Sequence, residues 1–116
     1  NKISDVGCVE LSRLRDLQSL EVRLTPVGDC GVTQLLSLPK LTRLDLACTA
    51  VSDNVMKKVA CSRVSDISLS GTNITDSGAF HLFEYPALKR LVLDETEVSD
   101  SLIESLRKKH STARIF

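Results

Sequence analysis

The chain has 116 residues, of which 42% are hydrophobic and only 3% aromatic, so a single domain with an aliphatic core is expected. Fifteen basic and fifteen acidic residues cancel. This balance gives no reason to expect nucleic-acid binding, which normally needs a basic surplus. No apolar run reaches the length of a membrane span, and the first residues lack a signal-peptide pattern. The composition predicts a soluble protein without membrane contact.

The four cysteines are Cys8, Cys30, Cys48 and Cys61. Their spacing is uneven and includes no CxxC pair that could hold a metal. A secreted disulfide scaffold of this size would be denser in cysteine. We therefore predict reduced thiols in an intracellular protein, cytoplasmic rather than nuclear. Cys8 and Cys61 align with core-facing places of the repeat described next, whereas Cys30 and Cys48 fall at more exposed places.

Four segments of the chain repeat one pattern. They read LQSLEVRLTPVGD, LTRLDLACTAVSD, VSDISLSGTNITD and LKRLVLDETEVSD, and they begin at Leu17, Leu41, Val64 and Leu88. The steps between these starts are 24, 23 and 24 residues. Each segment has an aliphatic residue at places one, four, six and eleven, Thr at place nine and Asp at place thirteen. Self-similarity at a period of this length is the signature of stacked repeats.

The first half of each repeat predicts a short strand. Apolar residues at places four and six alternate with mostly polar ones, which is the period of a strand with one buried face. The residues expected to face the core are Leu20, Val22, Leu44, Leu46, Ile67, Leu69, Leu91 and Leu93. The residues between them, which face outward, are Glu21, Asp45, Ser68 and Val92.

The second half of each repeat predicts a helix, in which apolar residues recur three and four places apart. The residues predicted to cap the helix N-termini are Asp29, Asp53, Asp76 and Asp100. Pro39 and Pro86 end two of the helices just before the next strand. Gly31 and Gly78 each follow a capping Asp by two residues, and we expect them to allow close packing in the first helical turn.

A unit of this kind cannot bury its own apolar face, so neighbouring repeats must stack. The strands are parallel because every connection passes through a helix on the other side. Since strands are about 4.8 Å apart and packed helices 8–10 Å apart, the stack bends with its strands on the concave side. The hydroxyls expected to bond backbone groups where each strand ends are those of Thr25, Thr49, Thr72 and Thr96. The predicted fold class is an α/β solenoid.

The repeats divide residues 1–116, predicted to be one domain, into a half-repeat (1–16), three repeats (17–40, 41–63 and 64–87) and a terminal capping repeat (88–116). The half-repeat lacks a preceding strand. We therefore expect a piece of a larger protein, or a partner that covers the first edge strand (17–24), through which the chain could also self-associate. Ile115 and Phe116 are expected to form a short last strand that closes the core.

The pattern LxxLxLxxTx(V/I)(S/T/G)D resembles that of the leucine-rich repeat family, with Thr where Asn or Cys is more usual, and it covers nearly the whole chain. Its helical second half is similar to that of intracellular members. The resemblance implies a right-handed superhelix and a non-catalytic protein-interaction module. Such a module serves as an adaptor or substrate-recognition part of a larger protein, for example of the ubiquitin-ligase type. The alternative is a structural capping end of a longer solenoid that supports a catalytic or regulatory domain.

No arrangement of residues predicts catalysis, a metal or a cofactor, because His81 and His110 have no Cys or carboxylate at metal spacing. The partner is expected to be another protein, bound by the outward-facing residues of the concave sheet. These are Glu21, Arg23, Arg43, Asp45, Asp66, Ser68, Arg90, Val92 and Asp94. Arg43 and Arg90 are the preferred anchors, since a guanidinium binds carboxylates bidentately. We expect no aromatic residue on this face.

Overall fold

The computed structural model describes residues 13–116, and within them five parallel strands form one sheet in chain order. The strands are β1 (Ser19–Glu21), β2 (Arg43–Asp45), β3 (Asp66–Ser68), β4 (Arg90–Val92) and β5 (Arg114–Ile115). The α-helices between them are α1 (Asp29–Leu35), α2 (Met56–Ala60), α3 (Asp76–Ala79) and α4 (Asp100–Lys109). A 3₁₀ turn precedes α2 at Asp53–Val55, and another follows α3 at Phe80–Glu84. The alternation of strand and helix confirms the predicted α/β solenoid.

The core lies between the sheet and the helices and is almost entirely aliphatic. Seven of the eight strand residues predicted to face inward are buried, and the eighth, Leu20, is partly buried because β1 has a described neighbour on one side only. Val32, Leu35 and Leu38 complete the core from the helix side, as their spacing predicts. Tyr85 is the largest buried side chain among residues 13–116, and its hydroxyl donates to the carbonyl of Val64, at the start of the same repeat, at 2.5 Å.

The strands pair without any shift of register from one repeat to the next. Leu20 lies beside Leu44, Leu44 beside Ile67, and this row continues through Leu91 to Ile115. The side chains between these core residues therefore stand in equally regular rows on the outer face of the sheet. The narrow spacing of strands relative to packed helices makes that outer face the concave one.

The threonines at place nine bond the backbone inside their own repeats. Each hydroxyl donates to the carbonyl three residues earlier, at distances between 2.5 and 2.7 Å. The chain turns sharply just before each threonine, where the residue at place eight has a positive φ between 58° and 68°. These residues are Leu24, Cys48, Gly71 and Glu95. The left-handed conformation favours glycine, yet only one of these four residues is a glycine. The sequence pattern alone therefore did not predict the turn.

The aspartates at place thirteen do not cap their own helices, and that prediction was wrong. The residues in the N-cap position are Gly28, Ser52, Thr75 and Ser99. Each aspartate is instead the first helical residue, and the carboxylates of Asp29, Asp53 and Asp76 accept bonds from the next repeat. Asp53 accepts from the backbone N–H of Thr75 at 2.7 Å and from the Thr75 hydroxyl.

The same bridge recurs along the stack. Asp29 accepts from the N–H of Ser52 at 2.7 Å and from its hydroxyl at 2.5 Å, and Asp76 accepts from the N–H of Ser99 at 2.7 Å. Each bond spans 22 or 23 residues. The aspartates therefore join consecutive repeats where the helices begin, next to the backbone bonds that Asn73 and Glu97 donate to the Val51 and Ile74 carbonyls of the preceding repeats.

Replacement of Asp53 with alanine tests this bridge. We expect D53A to lower the free energy of unfolding by about 2 kcal/mol, because hydrogen bonds to a charged group are lost and the Thr75 N–H keeps no acceptor. The matched control is D100A, since Asp100 has the same place in its repeat but is exposed, and its carboxylate accepts no hydrogen bond within residues 13–116. D100A should change stability by less than about 0.5 kcal/mol. Urea denaturation measures the free energy of unfolding of both variants. Equal losses of stability in D53A and D100A would contradict the bridging role of Asp53.

Several predictions concern residues outside this pattern. Cys30 and Cys48 are exposed as expected, whereas the core position predicted for Cys61 was wrong. Cys61 is the C-cap of α2, and the residues by which this helix enters the core are Met56, Val59 and Ala60. The half-repeat 1–16 falls mostly outside the described residues, and so does Cys8. No helix within residues 13–116 is long and apolar enough to span a membrane.

Candidate functional site

Charged side chains form a row along the beginnings of the strands on the concave face. This basic row consists of Arg43, Asp66, Arg90 and Arg114. The strand register places Arg43 beside Asp66, Asp66 beside Arg90 and Arg90 beside Arg114. Asp66 is shared by two guanidinium groups, with Arg43 Nε 3.8 Å from Oδ2 and Arg90 Nη1 3.2 Å from Oδ1. The two arginine side chains nevertheless stay 62% and 43% exposed. Their remaining N–H donors are thus available to a ligand.

The row ends beside an aromatic ring, which corrects the expectation that this face has none. The Arg90 guanidinium carbon lies 5.5 Å from the centroid of the Phe116 ring, within range of a cation–π interaction. Phe116 is 51% exposed, whereas Ile115 is buried. The expectation that both residues close the core was therefore right for Ile115 and wrong for Phe116. Strand alternation turns the Phe116 side chain away from the core.

The ends of the strands carry the opposite charge. Arg23 Nη1 lies 4.0 Å from Asp45 Oδ2, and Asp45 also accepts from the N–H of Ala47 at 3.0 Å. A shallow depression of about 490 Å³ covers this part of the face. The charged side chains that border it are four carboxylates and three arginines, namely Glu21, Asp45, Asp94, Glu95, Arg23, Arg43 and Arg90. The concave face is therefore polarised from basic at the strand starts to acidic at the strand ends.

The structure brings the nine predicted face residues together on one surface. Eight of them border the depression, and the ninth, Asp66, lies in the basic row beside it. Val92 and Ser68 are half-buried in the centre, and the charged residues surround them. Whether these nine residues bind a partner stays a prediction.

Two residues of this face were missed by sequence reasoning. Arg114 begins β5 and Phe116 directly follows it, and the sequence analysis expected this last strand only to close the core, with no residue on the outer face. The signal was present in the spacing, because Arg114 follows Arg90 by 24 residues, which is the step of the repeat. The ARIF segment aligns with KRLV of the preceding repeat.

Other chemistry-bearing side chains have structural roles or lie apart. His110 follows α4, and its Nε2 lies 2.8 Å from the Leu82 carbonyl, which ties the last helix to the preceding repeat. His81 is exposed on the helix side. Within the described part of the chain, no group of three or more His, Cys, Asp or Glu side chains is placed to hold a metal ion. Nor does any buried side-chain nitrogen or oxygen there lack a hydrogen-bond partner.

Comparison with known proteins agrees with the fold. Residues 37–60 match the model of a family described as Leucine Rich repeat, and they cover β2 and α2 with the turn between them. No curated protein gives a significant match to the chain. The same strand, turn and helix recur before and after the matched segment, with one register throughout. The chain is thus a leucine-rich-repeat solenoid, and repeats of this family are typically non-catalytic modules that bind other proteins.

Proposed function

We propose that this chain is a protein-recognition module whose partner binds the concave face of the sheet. The observation that carries the proposal is the register of the strands, which holds charged side chains in rows on a rigid surface. Such rows offer directional ion pairs and hydrogen bonds without the cost of ordering a loop. The module would act within a larger intracellular protein, as its adaptor or substrate-recognition part.

The proposed contact residues are the nine that were selected from the sequence. The charges of some of these residues and the burial of others support the proposal. Arg43 and Arg90 use only part of their donor capacity on Asp66, so they can bind a second carboxylate. The half-buried Ser68 and Val92 give the centre of the face a small, flat surface against which a partner can pack.

A charge-reversal experiment tests the placement of the interface. The double variant R43E/R90E should reduce capture of partner proteins from a cell extract by about tenfold or more, since charge pairs at protein interfaces contribute several kcal/mol. The matched control is K57E/K58E, which makes the same change of charge on exposed residues of α2. This control should capture the same proteins as the unmodified chain.

Quantitative mass spectrometry of the captured proteins gives the result, and thermal unfolding verifies that each variant is folded. Equal capture by both double variants and the unmodified chain would overturn the placement on the concave face. That outcome would favour the alternative function, in which these repeats form the structural end of a longer solenoid.

A further inference from the structure

The basic row on the concave face contains more positive charge than its own carboxylate can neutralise. Three guanidinium groups, those of Arg43, Arg90 and Arg114, stand in one row with the single carboxylate of Asp66, which lies between Arg43 and Arg90. Asp66 contacts the first two. Arg114 is exposed and has no ion-pair partner within residues 13–116. The C-terminal half of the row therefore carries unneutralised positive charge.

The pairing of β4 with β5 places two of these positively charged residues next to each other. Arg90 and Arg114 are paired in register on neighbouring parallel strands, whose backbones lie about 4.8 Å apart. Like charges in that arrangement destabilise a sheet. A carboxylate bound between the two guanidinium groups would relieve the repulsion and accept bidentate hydrogen bonds.

Phe116 adds an apolar element to the same place. Its half-exposed ring stands beside the Arg90 guanidinium, so a ligand that pairs with Arg90 would also meet this ring. An aliphatic or aromatic side chain next to the ligand carboxylate would cover the ring and exclude water from the ion pair. A lower local dielectric strengthens such a pair.

We infer that Arg90, Arg114 and Phe116 form a docking site for an acidic peptide segment that carries an apolar side chain among its carboxylates. The inference rests on the proposed function and gives the partner its chemistry. A nucleic acid is disfavoured, although its phosphates could also pair with arginine. Glu21, Asp45, Asp94 and Glu95 lie across the same face and would repel a polyanion that extends over it.

The test uses labelled peptides and the whole chain. The first peptide has four glutamates around a central leucine, the second replaces the glutamates with glutamine, and the third replaces them with lysine. Fluorescence anisotropy should show binding of the glutamate peptide at least about tenfold tighter than of either other peptide, because the ion pairs are charge-assisted. The affinity should fall as salt is added.

Variants of the chain locate the site. R90Q/R114Q should weaken the glutamate peptide about tenfold, whereas K108Q/K109Q, which removes the same charge from exposed residues at the end of α4, should change affinity less than about twofold. F116A should weaken the glutamate peptide but not a version with glycine in place of leucine. Equal weakening by both double variants would show attraction by net charge alone and overturn the site.

Two further outcomes separate this inference from the proposed function. If the glutamate peptide does not bind while R43E/R90E still loses its captured proteins, the acidic docking site is wrong and the concave interface stands. If a ten-nucleotide single-stranded DNA binds more tightly than the glutamate peptide, the peptide assignment is overturned in favour of a nucleic acid. Binding of the peptide that R90Q/R114Q and F116A leave unchanged would place it elsewhere on the chain.

Discussion

Replacement of Gly78 with alanine is expected to lower the free energy of unfolding by about 3 kcal/mol, which combines overpacking with weakened hydrogen bonds. A Cβ atom at this position would lie 2.1 Å from Oδ1 of Asp53 and 2.9 Å from its Cα. Carboxylate and backbone would both have to move, and the Asp53 bonds to Thr75 would be distorted. Gly78 is thus required by the approach of the preceding repeat, as its place in the sequence predicted.

Urea denaturation of G78A gives the size of this effect, and S77A is the control. Ser77 is the exposed neighbour in α3, and its replacement should change stability by less than about 0.5 kcal/mol. A double-mutant cycle then identifies the clash. In a D53A background the cost of G78A should fall to about 1 kcal/mol, because the carboxylate is gone while the Asp53 backbone remains. The same cost in both backgrounds would rule out Asp53 as the group that Gly78 accommodates.

The second large effect is a loss of stability at alkaline pH through Tyr85, the only tyrosine of the chain. The pKa of its hydroxyl is raised from 10.0 to about 12, mainly by burial and also by the charge of Asp66, while the neighbouring Ser62 side chain lowers it. The pKa of Tyr85 is higher in the folded chain than in the unfolded chain. As the pH rises, the unfolded chain therefore loses the Tyr85 proton first. The contribution of Tyr85 to stability is therefore complete below pH 10 and is lost as the pH rises towards 12.

The expected loss is about 1.4 kcal/mol at pH 11 and approaches about 2.7 kcal/mol above pH 12, since one pKa unit corresponds to 1.36 kcal/mol. Y85F provides the reference, because it shares every other titrating group. It should be about 1 kcal/mol less stable than the unmodified chain at pH 8, where the bond to the Val64 carbonyl is lost. At pH 11 the difference should vanish or change sign.

Denaturation curves at pH 8, 10 and 11 give this comparison. The tyrosinate absorbance of the folded chain reports the pKa directly, because no second tyrosine interferes. A stability difference between the two proteins that is constant over this range would show that Tyr85 ionises equally in both states. The buried hydroxyl would then have no linkage to folding.

The sequence by itself determined the repeat, the strands and the faces of the sheet. Because each repeat can bury its apolar face only against a neighbour, the spacing of Leu44, Ile67 and Leu91 at nearly constant steps required stacked parallel strands. It also required the residues between them to form outward rows, so the outward position of all nine face residues follows from the sequence. The hydroxyl bonds of the threonines followed equally from local geometry.

The tertiary structure decided which groups in different repeats meet. Asp53 has its partner in Thr75, 22 residues away, whereas a cap within its own helix was the local expectation. Asp66 is shared by two arginines, and Phe116 is beside Arg90, because strand register and stacking distance set those contacts. A pattern of residue types specifies which face a side chain occupies. The distance to a charge or ring in the next repeat depends on how the repeats pack, and that packing determined the basic row and its aromatic end.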